Sequence, residues 1–305
     1  MSAAARGEPR VVVIGDVIDD ILVTPTRRIR RDTDTTARIA LAQGGSAANA
    51  AAWLGSLGVR TDFRGRVGAG DAPRHIDALF AYGVRADIDE HPTLPTGRIV
   101  ILIEGDHRSF LTDGGAARTL GAAAVTDGML TGAAAVHLTG HSMLAAWQRA
   151  EATDLVARAA ARDVPVVVDP SSAGFLRDVG PDRFLDAIAG VDALLPNLDE
   201  GRVLTGLDDP GEVAERLTQV ARVVVLTLGS AGAIVARRGT DVVHVPAVGA
   251  SVVDPTGAGD AFAAGFHAAR VRGLGDVEAA RSAAAIAGGA VAIPGGRPHT
   301  HPRGR

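Results

Sequence analysis

The stretch from Asp254 to Asp260, Asp-Pro-Thr-Gly-Ala-Gly-Asp, combines two features that chemistry on a phosphate requires. Its glycines, Gly257 and Gly259, allow the backbone to bend tightly and approach a ligand closely. A helical pattern of small and apolar residues follows, and backbone N–H groups at a helix start attract anions such as phosphate. Asp260 adds a carboxylate beside them. An anion cradle next to a carboxylate base can move a phosphoryl group onto a hydroxyl.

The sequence argues against four common nucleotide- and cofactor-binding motifs. Phe262 stands where the dinucleotide fingerprint G-x-G-x-x-G needs its third glycine. The chain contains no lysine, which excludes a Walker A loop, the strand lysine of protein kinases and a Schiff base to pyridoxal phosphate. Taken alone, the turn is as compatible with a plain connection as with a phosphate site.

The composition limits the class of protein. The 305 residues suffice for one large domain or two modest ones. Hydrophobic residues make up 47% and aromatic residues only 3%, so Ala, Val, Leu and Ile must build the core. A net charge of −4 without a basic block argues against nucleic acid and membranes as partners. The absence of cysteine and of an apolar segment near Met1 favours a cytoplasmic location.

Acidic residues cluster directly after the first apolar run. Residues 10–16 read Arg-Val-Val-Val-Ile-Gly-Asp, which predicts a buried parallel strand whose C-terminal end opens at a site. Asp16 ends this run, and Asp19 and Asp20 follow it closely. Two interpretations stay open for the three side chains: they cap turns of the backbone, or they face a ligand.

A second polar group stands at the start of the next predicted helix. Gly44, Gly45 and Ser46 precede a helical pattern that runs to Leu57, with Ser46 as the expected N-cap. Asn49 lies in the first turn, and its amide offers a donor and an acceptor, which suits a pair of neighbouring hydroxyl groups. Without further context, a helix cap followed by a buried Asn explains this motif better than a binding site.

Further polar residues follow later predicted strands. Asn197 and Glu200 stand three positions apart at a strand-to-helix junction, a spacing that fits both a capping box and a pair ordering water around a magnesium–nucleotide phosphate. Residues 227–232 predict a tight turn between two strands. His141 follows a strand ending at Gly140, where ligands bind in doubly wound sheets. The tail from 297 to 305 is expected to be frayed.

Residues 254–265 resemble the C-terminal signature of the ribokinase/PfkB family of sugar and nucleoside kinases, from whose usual Asp-Thr-Thr start Pro255 departs. The resemblance implies that Asp260 takes the proton from the substrate hydroxyl. It implies an anion hole formed by Gly257, Ala258 and Gly259. It also implies that Asp254 and Thr256 help to hold a monovalent cation such as potassium.

The motifs at 44–49, 197–200 and 227–232 resemble the other signatures of this family and occur in its order. The resemblance assigns the acceptor to Asp20, with Asp16 or Asp19 less favoured, and to Gly45 and Asn49. His141 is added from its place at a strand end. It assigns the magnesium–nucleotide to Asn197, Thr227, Gly229, Ser230, Gly232 and Gly259, with Glu200 contacting Mg²⁺ through water.

Alternating strands and helices predict an α/β fold with a mostly parallel sheet. The resemblance makes this a ribokinase-like three-layer α/β/α domain, formed by 1–18, 44–93 and 113–305. A small β-sheet lid over the substrate site would comprise 19–43 and 94–112, and lids of relatives often pair two subunits into a homodimer.

The expected activity is ATP-dependent phosphorylation of a hydroxyl on a small carbohydrate, which means a sugar, a keto sugar acid or a polyol. Three alternatives remain: a nucleoside kinase of the same fold, a non-catalytic sugar or nucleotide sensor, and a dinucleotide oxidoreductase. A pure sensor has no need of the base Asp260, and the incomplete glycine fingerprint disfavours the oxidoreductase.

Overall fold

A computed structural model of the chain describes residues 9–105, 107–141 and 149–299. The strands in this part are β1 (Arg10–Ile14), β2 (Ile18–Pro25), β3 (Ala37–Gly44), β4 (Arg60–Gly68), β5 (Arg85–His91), β6 (Arg98–Glu104), β7 (His107–Asp113), β8 (Ala133–Thr139), β9 (Val166–Asp169), β10 (Val191–Leu194), β11 (Ala221–Thr227), β12 (Ala233–Arg237) and β13 (Val243–Val245). Its α-helices are α1 (Ser46–Ser56), α2 (Ala72–Phe80), α3 (Asp127–Leu130), α4 (Arg149–Ala160), α5 (Ala173–Val179), α6 (Pro181–Ala187), α7 (Leu198–Thr205), α8 (Pro210–Leu217), α9 (Ala258–Val271) and α10 (Asp276–Ala290).

Nine strands form one large sheet in the order β13-β12-β11-β10-β9-β8-β1-β4-β5. The pairs from β11 to β5 are parallel, and β12 runs antiparallel to both of its neighbours. From β1 the chain continues to β4 on one side, whereas β8 lies on the other side. This reversal of strand order creates a crevice at the C-terminal ends of β1 and β8, where ligands bind in open α/β sheets.

Both faces of the large sheet are buried, which explains the continuous apolar runs in its strands. Side chains alternate between the faces, so that Val12 and Ile14 of β1 join one core cluster while Val11 and Val13 join another. On the face of the sheet that carries Val12 and Ile14, the strands pack against helices that include α4, α6 and α8. On the other face they pack against α1, α9 and α10. The predicted three-layer α/β/α fold with a mostly parallel sheet is confirmed.

Four strands form a separate small sheet in the order β3-β2-β6-β7. Strand β2 pairs antiparallel with β3 and parallel with β6, and β7 returns antiparallel to β6 after the turn at Gly105. These strands come from the two segments that were predicted to form a lid. The division of the chain into a lid and a catalytic domain stays a prediction.

None of the helices within the described residues is long and apolar enough to cross a membrane.

Candidate active site

Asp260 lies in the first turn of α9, which no side chain caps. Ser46 Oγ donates a hydrogen bond to Asp260 Oδ1 at 2.6 Å, and Asn49 Nδ2 donates to Oδ2 at 3.0 Å. Burial raises the pKa of Asp260 to about 8, the hydrogen bond from Ser46 opposes this rise, and the charge of Asp169 adds to it. A carboxyl group whose pKa lies near physiological pH is well matched to accepting a proton.

Backbone N–H groups stand open beside this carboxyl group. Gly257 adopts a left-handed conformation with φ of 75°, and a Cβ atom there would meet the backbone of Gly296 at 2.5 Å. The N–H groups of Gly257, Gly259 and Asp260 donate to no other described residue, whereas that of Ala258 bonds to the carbonyl of Pro255 at 3.3 Å. Of the three residues predicted for the anion hole, the two glycines therefore offer free donors.

Asp254 is buried and its carboxylate already has partners. Oδ1 accepts from the N–H of Thr256 at 2.9 Å and lies 3.1 Å from Nη2 of Arg108 on β7. Oδ2 accepts from the N–H of Gly295 at 2.9 Å. Burial would raise the pKa of Asp254, but the hydrogen bonds from Gly295 and Thr256 and the charge of Arg108 hold it below its usual value. Asp254 thus remains charged and ties three segments together.

The start of α1 is capped from a distance, and the prediction that Ser46 is its N-cap was wrong. Gly45 occupies that position with φ of 96°, and a Cβ atom there would meet the carbonyl oxygen of Asp16 at 2.5 Å. Asp16 Oδ2 accepts from the N–H of Ser46 at 2.8 Å, and Oδ1 accepts from Ala47 N–H at 3.2 Å and Thr139 Oγ1 at 3.1 Å. Because the Asp16 carboxylate caps the helix, the Ser46 hydroxyl is free to contact Asp260.

The other two N-terminal aspartates point to opposite faces of β2, as neighbours in a strand do. Asp19 forms a two-pronged ion pair with Arg74 at 2.6 and 2.7 Å. The side chain of Asp20 makes no hydrogen bond or ion pair with any described residue. Burial raises the pKa of Asp20 to about 6, the nearby charge of Arg297 lowers it, and Asp16 and Asp19 raise it. Of the three aspartates, Asp20 is therefore the one whose carboxyl group is most available to a ligand.

Asn49 is buried beside the carboxyl group of Asp260, and both ends of its amide are used. Its Nδ2 contacts Asp260, and its Oδ1 accepts from Nε of Arg297 at 3.0 Å. The expectation of a frayed tail was thus wrong for Arg297, a residue that the sequence interpretation missed. The Gly295-Gly296 pair just before it was the available signal, because adjacent glycines often permit close backbone packing.

A cavity of about 730 Å³ opens between the small sheet and the large sheet. Asp16 and His141 line it on the side of the large sheet, and Phe110 and Ile99 line it from the small sheet. The His141 ring packs against Phe175 with centroids 4.5 Å apart, and burial lowers the pKa of His141. His141 therefore contributes a neutral, partly aromatic wall.

Asn197 and Glu200 form a complete capping box at the start of α7. The side chain of Asn197 accepts from the N–H of Glu200 at 2.9 Å, and Glu200 Oε2 accepts from the N–H of Asn197 at 2.9 Å. The predicted capping interpretation is thus confirmed. Asn197 also bridges to Thr227, whose N–H donates to the carbonyl of Pro196 at 2.9 Å.

A second carboxyl group stands next to Glu200. Asp169 ends β9, and burial and the charge of Glu200 raise the pKa of Asp169 to about 8. Burial also raises the pKa of Glu200 to about 7, against the hydrogen bonds from Asn197. A Cβ atom at Gly259 would stand 3.9 Å from Asp169 Oδ2, which links this pair to the start of α9. The sequence interpretation missed Asp169, although its place at a strand end was the signal.

Carboxyl groups that resist ionisation together suit a cation that neutralises them both. Magnesium needs only one or two carboxylates, because it keeps several waters and binds the phosphates. Asp169 and Glu200 fit that requirement. No group of three or more His, Cys, Asp or Glu side chains converges for a metal in 9–105, 107–141 or 149–299.

The predicted nucleotide turn connects β11 to β12. Gly229 and Ser230 are exposed in a short 3-10 helix, and Leu228 N–H donates to the carbonyl of Gly232 at 2.7 Å. Gly232 is buried, and a Cβ atom there would collide with the carbonyl of Val245. Because β11 ends at Thr227, this turn lies at the same sheet edge as Asn197.

Comparisons with known proteins agree with this architecture. Residues 8–301 match the pfkB family carbohydrate kinase profile. The chain is 31% identical to ribokinase of Arabidopsis thaliana over 97% of its own length and 80% of that protein. It spans 59% of another relative, the bifunctional protein HldE of a Caulobacter strain, at 30% identity.

Solved structures give the same result. Adenosine kinase from Sinorhizobium meliloti superimposes with a TM-score of 0.84 and 26% identity, covering 96% of each chain. Arabidopsis thaliana ribokinase complexed with ribose and ATP superimposes with a TM-score of 0.76 and 26% identity, covering 95% of this chain and 94% of that one. With its fold, its motifs and its profile match in agreement, this chain belongs to the pfkB family of carbohydrate kinases, which are ATP-dependent phosphotransferases.

Proposed function

We propose that this enzyme transfers the γ-phosphoryl group of magnesium–ATP to a hydroxyl of a small carbohydrate, with Asp260 as the general base. The observation that carries the proposal is the surroundings of Asp260. Its carboxyl group has a pKa of about 8 and stands beside the free N–H groups of Gly257 and Gly259. Base and anion hole are thus adjacent, as an in-line transfer requires.

The residues around Asp260 divide the work. Asp260 accepts the proton of the attacking hydroxyl, while Ser46 and Asn49 hold its two oxygens in place. The N–H groups at the start of α9 stabilise the negative charge that develops on the transferring phosphoryl group. Asp20 has the unpartnered carboxylate that would accept hydrogen bonds from the other hydroxyls of the acceptor. Gly45 lets the backbone approach the acceptor.

The nucleotide would lie along the sheet edge between α7 and the 229–232 turn. Asp169 and Glu200 would hold the magnesium ion, directly or through water, with Asn197 fixing Glu200. A bound magnesium ion supplies charge neutralisation on the phosphates. Thr227 and the exposed Gly229 and Ser230 leave room for the nucleotide to lie against the backbone. This arrangement is supported by the raised pKa values of both carboxyl groups.

An ATP-consumption assay tests the proposal, using sugars, polyols, sugar acids and nucleosides with magnesium and potassium present. We expect strong turnover with one class of acceptor. ATP binding without turnover across the panel would favour the sensor alternative, and absence of ATP binding would contradict the role given to the start of α9. A kinase that consumes ATP needs a compartment that supplies ATP, and this requirement supports the predicted cytoplasmic location.

A nucleoside acceptor is the second candidate, and the cavity favours it. Its volume of about 730 Å³ exceeds what one sugar ring needs and falls within the roughly 300–1,000 Å³ range of pockets for drug-sized ligands. Phe110, His141 and Phe175 supply rings on which a flat base could stack. If so, Phe110→Ala weakens nucleoside turnover more than sugar turnover, whereas Phe80→Ala, at an exposed site on α2, changes neither.

The monovalent-cation proposal has a competitor in the chain itself. Arg108 already lies 3.1 Å from Asp254 Oδ1, where a potassium ion would take an oxygen ligand. Activation by potassium therefore requires the ion to bind the remaining oxygens of the Asp254–Thr256 loop. Equal turnover in potassium and in a bulky organic cation would exclude this role.

The outer face of the small sheet supports a homodimer. The paired rows Leu41–Ile21–Val100–Leu111 and Ile39–Val23–Leu102–Ser109 share this face by register. Leu41 is 79% exposed and Ile39 is 63% exposed in the single chain. Large apolar side chains grouped on an exposed face are typical of a surface that a partner protein covers. Light scattering should report a dimer that Leu41→Asp dissociates, whereas Leu274→Asp, on an exposed loop, leaves it intact; a wild-type monomer contradicts the proposal.

A further inference from the structure

We propose that Arg297 is a positioning residue for phosphoryl transfer, because it fixes the amide of Asn49 in the orientation that donates a hydrogen bond to Asp260. The inference rests on the proposed function, in which Asp260 is the base. Arg297 touches none of the reacting groups itself. Its effect passes through the side chain of Asn49 and, over distance, through its positive charge.

The chemistry of the two side chains determines the orientation. A guanidinium group has donors only, so Arg297 Nε can contact only the oxygen end of the Asn49 amide. That contact of 3.0 Å leaves the nitrogen end for Asp260, and Asn49 Nδ2 lies 3.0 Å from Asp260 Oδ2. A flipped amide would set its oxygen against a carboxylate oxygen, and the hydrogen bond would become a repulsion.

The remaining contacts of Arg297 are all with uncharged acceptors. Nη1 donates to Gln43 Oε1 at 3.2 Å and Nη2 donates to the carbonyl of Gly44 at 3.1 Å. The guanidinium group forms no ion pair with a described carboxylate. Burial lowers the pKa of Arg297, whereas the nearby Tyr82, Asp20 and Asp260 raise it. A buried cation without an ion-pair partner is costly, and its charge acts over distance on these groups.

The backbone around Arg297 is fixed on three sides. The indole N–H of Trp53 donates to the carbonyl of Gly296 at 3.0 Å, and Gly295 N–H donates to Asp254. A Cβ atom at Gly296 would meet Asn49 Nδ2 at 2.7 Å, so only glycine allows this approach. The segment 295–297 is therefore a rigid support for the amide of Asn49.

The charged groups around Asp260 make the support measurable. Asp16, just after β1, and Asp169 from β9 raise the pKa of Asp260, and Ser46 and Asn49 of α1 lower it by hydrogen bonding. Arg297 is a nearby cation whose charge interacts with that of Asp260. Removing it takes away a positive charge and releases the amide of Asn49, and both changes favour the protonated carboxyl group.

The decisive experiment measures the titration of Asp260 in the full-length protein without substrate, by carboxyl carbon NMR assigned with Asp260→Asn. We expect the midpoint to rise by about one pH unit in Arg297→Met, to stay near the wild-type value in Arg297→Lys, and to rise in part in Arg297→Gln, which keeps a donor but no charge. The control is Arg272→Met, because Arg272 also donates to a backbone carbonyl, that of Leu57 at 2.8 Å, at an exposed site.

Kinetics provide the second measurement. We expect kcat of Arg297→Met to fall by roughly 10² with KM for ATP within about twofold, and Arg297→Lys to recover part of the loss. An unmoved Asp260 midpoint in Arg297→Met overturns the proposal even if kcat falls, because a purely structural arginine lowers activity without changing that titration. If Arg297→Met does not fold, Arg297→Gln against Arg297→Lys decides by the same criterion. If the wild type transfers no phosphate, the proposed function fails while the titration still tests the contact.

Discussion

The helices α7 and α9 begin in similar places and treat their first turns in opposite ways. Each follows a loop, and each carries a carboxyl group near its start with a raised pKa, about 7 for Glu200 and about 8 for Asp260. At α7 the side chains of Asn197 and Glu200 satisfy the local N–H groups. At α9 no side chain does so.

These two helix starts differ in whether they leave donors available to a ligand. A capped start uses its own side chains to satisfy donors that would otherwise face solvent, and it is stable without a ligand. An uncapped start leaves N–H groups open for an anion, and its carboxyl group must then be held by other elements. Ser46 and Asn49 of α1 provide that hold. The start of α9 thus leaves donors open to an anionic ligand, whereas the start of α7 satisfies its own donors.

The largest expected effect comes from removing the carboxylate at the open start. Asp260→Asn should lower kcat by roughly 10³ or more while ATP and acceptor still bind, because the base is lost and the shape is kept. Glu200→Gln, the matched change at the capped start, should act more on KM for magnesium–ATP than on kcat. Steady-state kinetics and calorimetric ATP binding check both variants. An Asp260→Asn enzyme retaining a tenth of wild-type kcat contradicts the assignment of the base.

Substitutions of one glycine beside each helix test the same difference between α7 and α9. Gly257 before α9 and Gly206 after α7 both have left-handed φ angles, 75° and 71°. Replacement by Ala costs each site about 1–2 kcal/mol of unfolding free energy from backbone strain. Only at Gly257 does the new Cβ atom also meet backbone, 2.5 Å away, whereas nothing lies within 4 Å at Gly206.

Gly257→Ala should therefore lose activity and additional stability, and Gly206→Ala stability alone. Chemical denaturation and kcat measured in parallel separate the two cases. Equal kcat for both variants would argue against an anion hole at the start of α9.

Sequence patterns predict what is satisfied locally. The continuous apolar run at 11–14 predicts a strand buried on both faces, and the three-residue spacing of Asn197 and Glu200 predicts the capping box. Both features depend on near neighbours in the chain. For the same reason the glycine-rich stretch before Asp260 identifies an open helix start without showing what holds its carboxylate.

The missed contacts join residues that only the folded sheet brings together. Ser46 and Asp260 are 214 positions apart, and Arg297 and Asn49 are 248 apart. Ser46 looks like an N-cap because its own neighbourhood is a helix start. The prediction failed because Asp16, 30 positions earlier, supplies the cap through space. No local pattern contains this competition.

A smaller effect concerns stability against pH. The folded pKa of Asp260, about 8, lies above the ordinary value of 3.8 for an aspartate, so the folded state binds a proton that the unfolded state releases. Stability from this group is therefore present at acid pH and is lost as pH rises from about 4 through about 8. At pH 9 the unfolding free energy of Asp260→Asn should exceed that of wild type by on the order of 2–4 kcal/mol, and the gain should vanish near pH 4.

Glu200→Gln should show the same sign with a smaller gain, because the folded pKa of Glu200 is about 7. Thermal unfolding of the three proteins across this pH range provides the test. A constant difference between Asp260→Asn and wild type at every pH would mean that the carboxyl group titrates normally in the folded state.

The smallest effect isolates the capping role at α7 from its place at the site. Asn197→Ala removes an N-cap and should cost about 1 kcal/mol of unfolding free energy. Asp209→Ala removes the N-cap of α8, where Asp209 accepts from the N–H groups of Gly211 and Glu212 at 2.9 and 3.0 Å, and should cost a similar amount. Only Asn197→Ala should also raise KM for magnesium–ATP, because it releases Glu200. If both variants lose stability equally and bind ATP as the wild type does, the capped start is structural alone, and the nucleotide relies on Asp169 and the open start of α9.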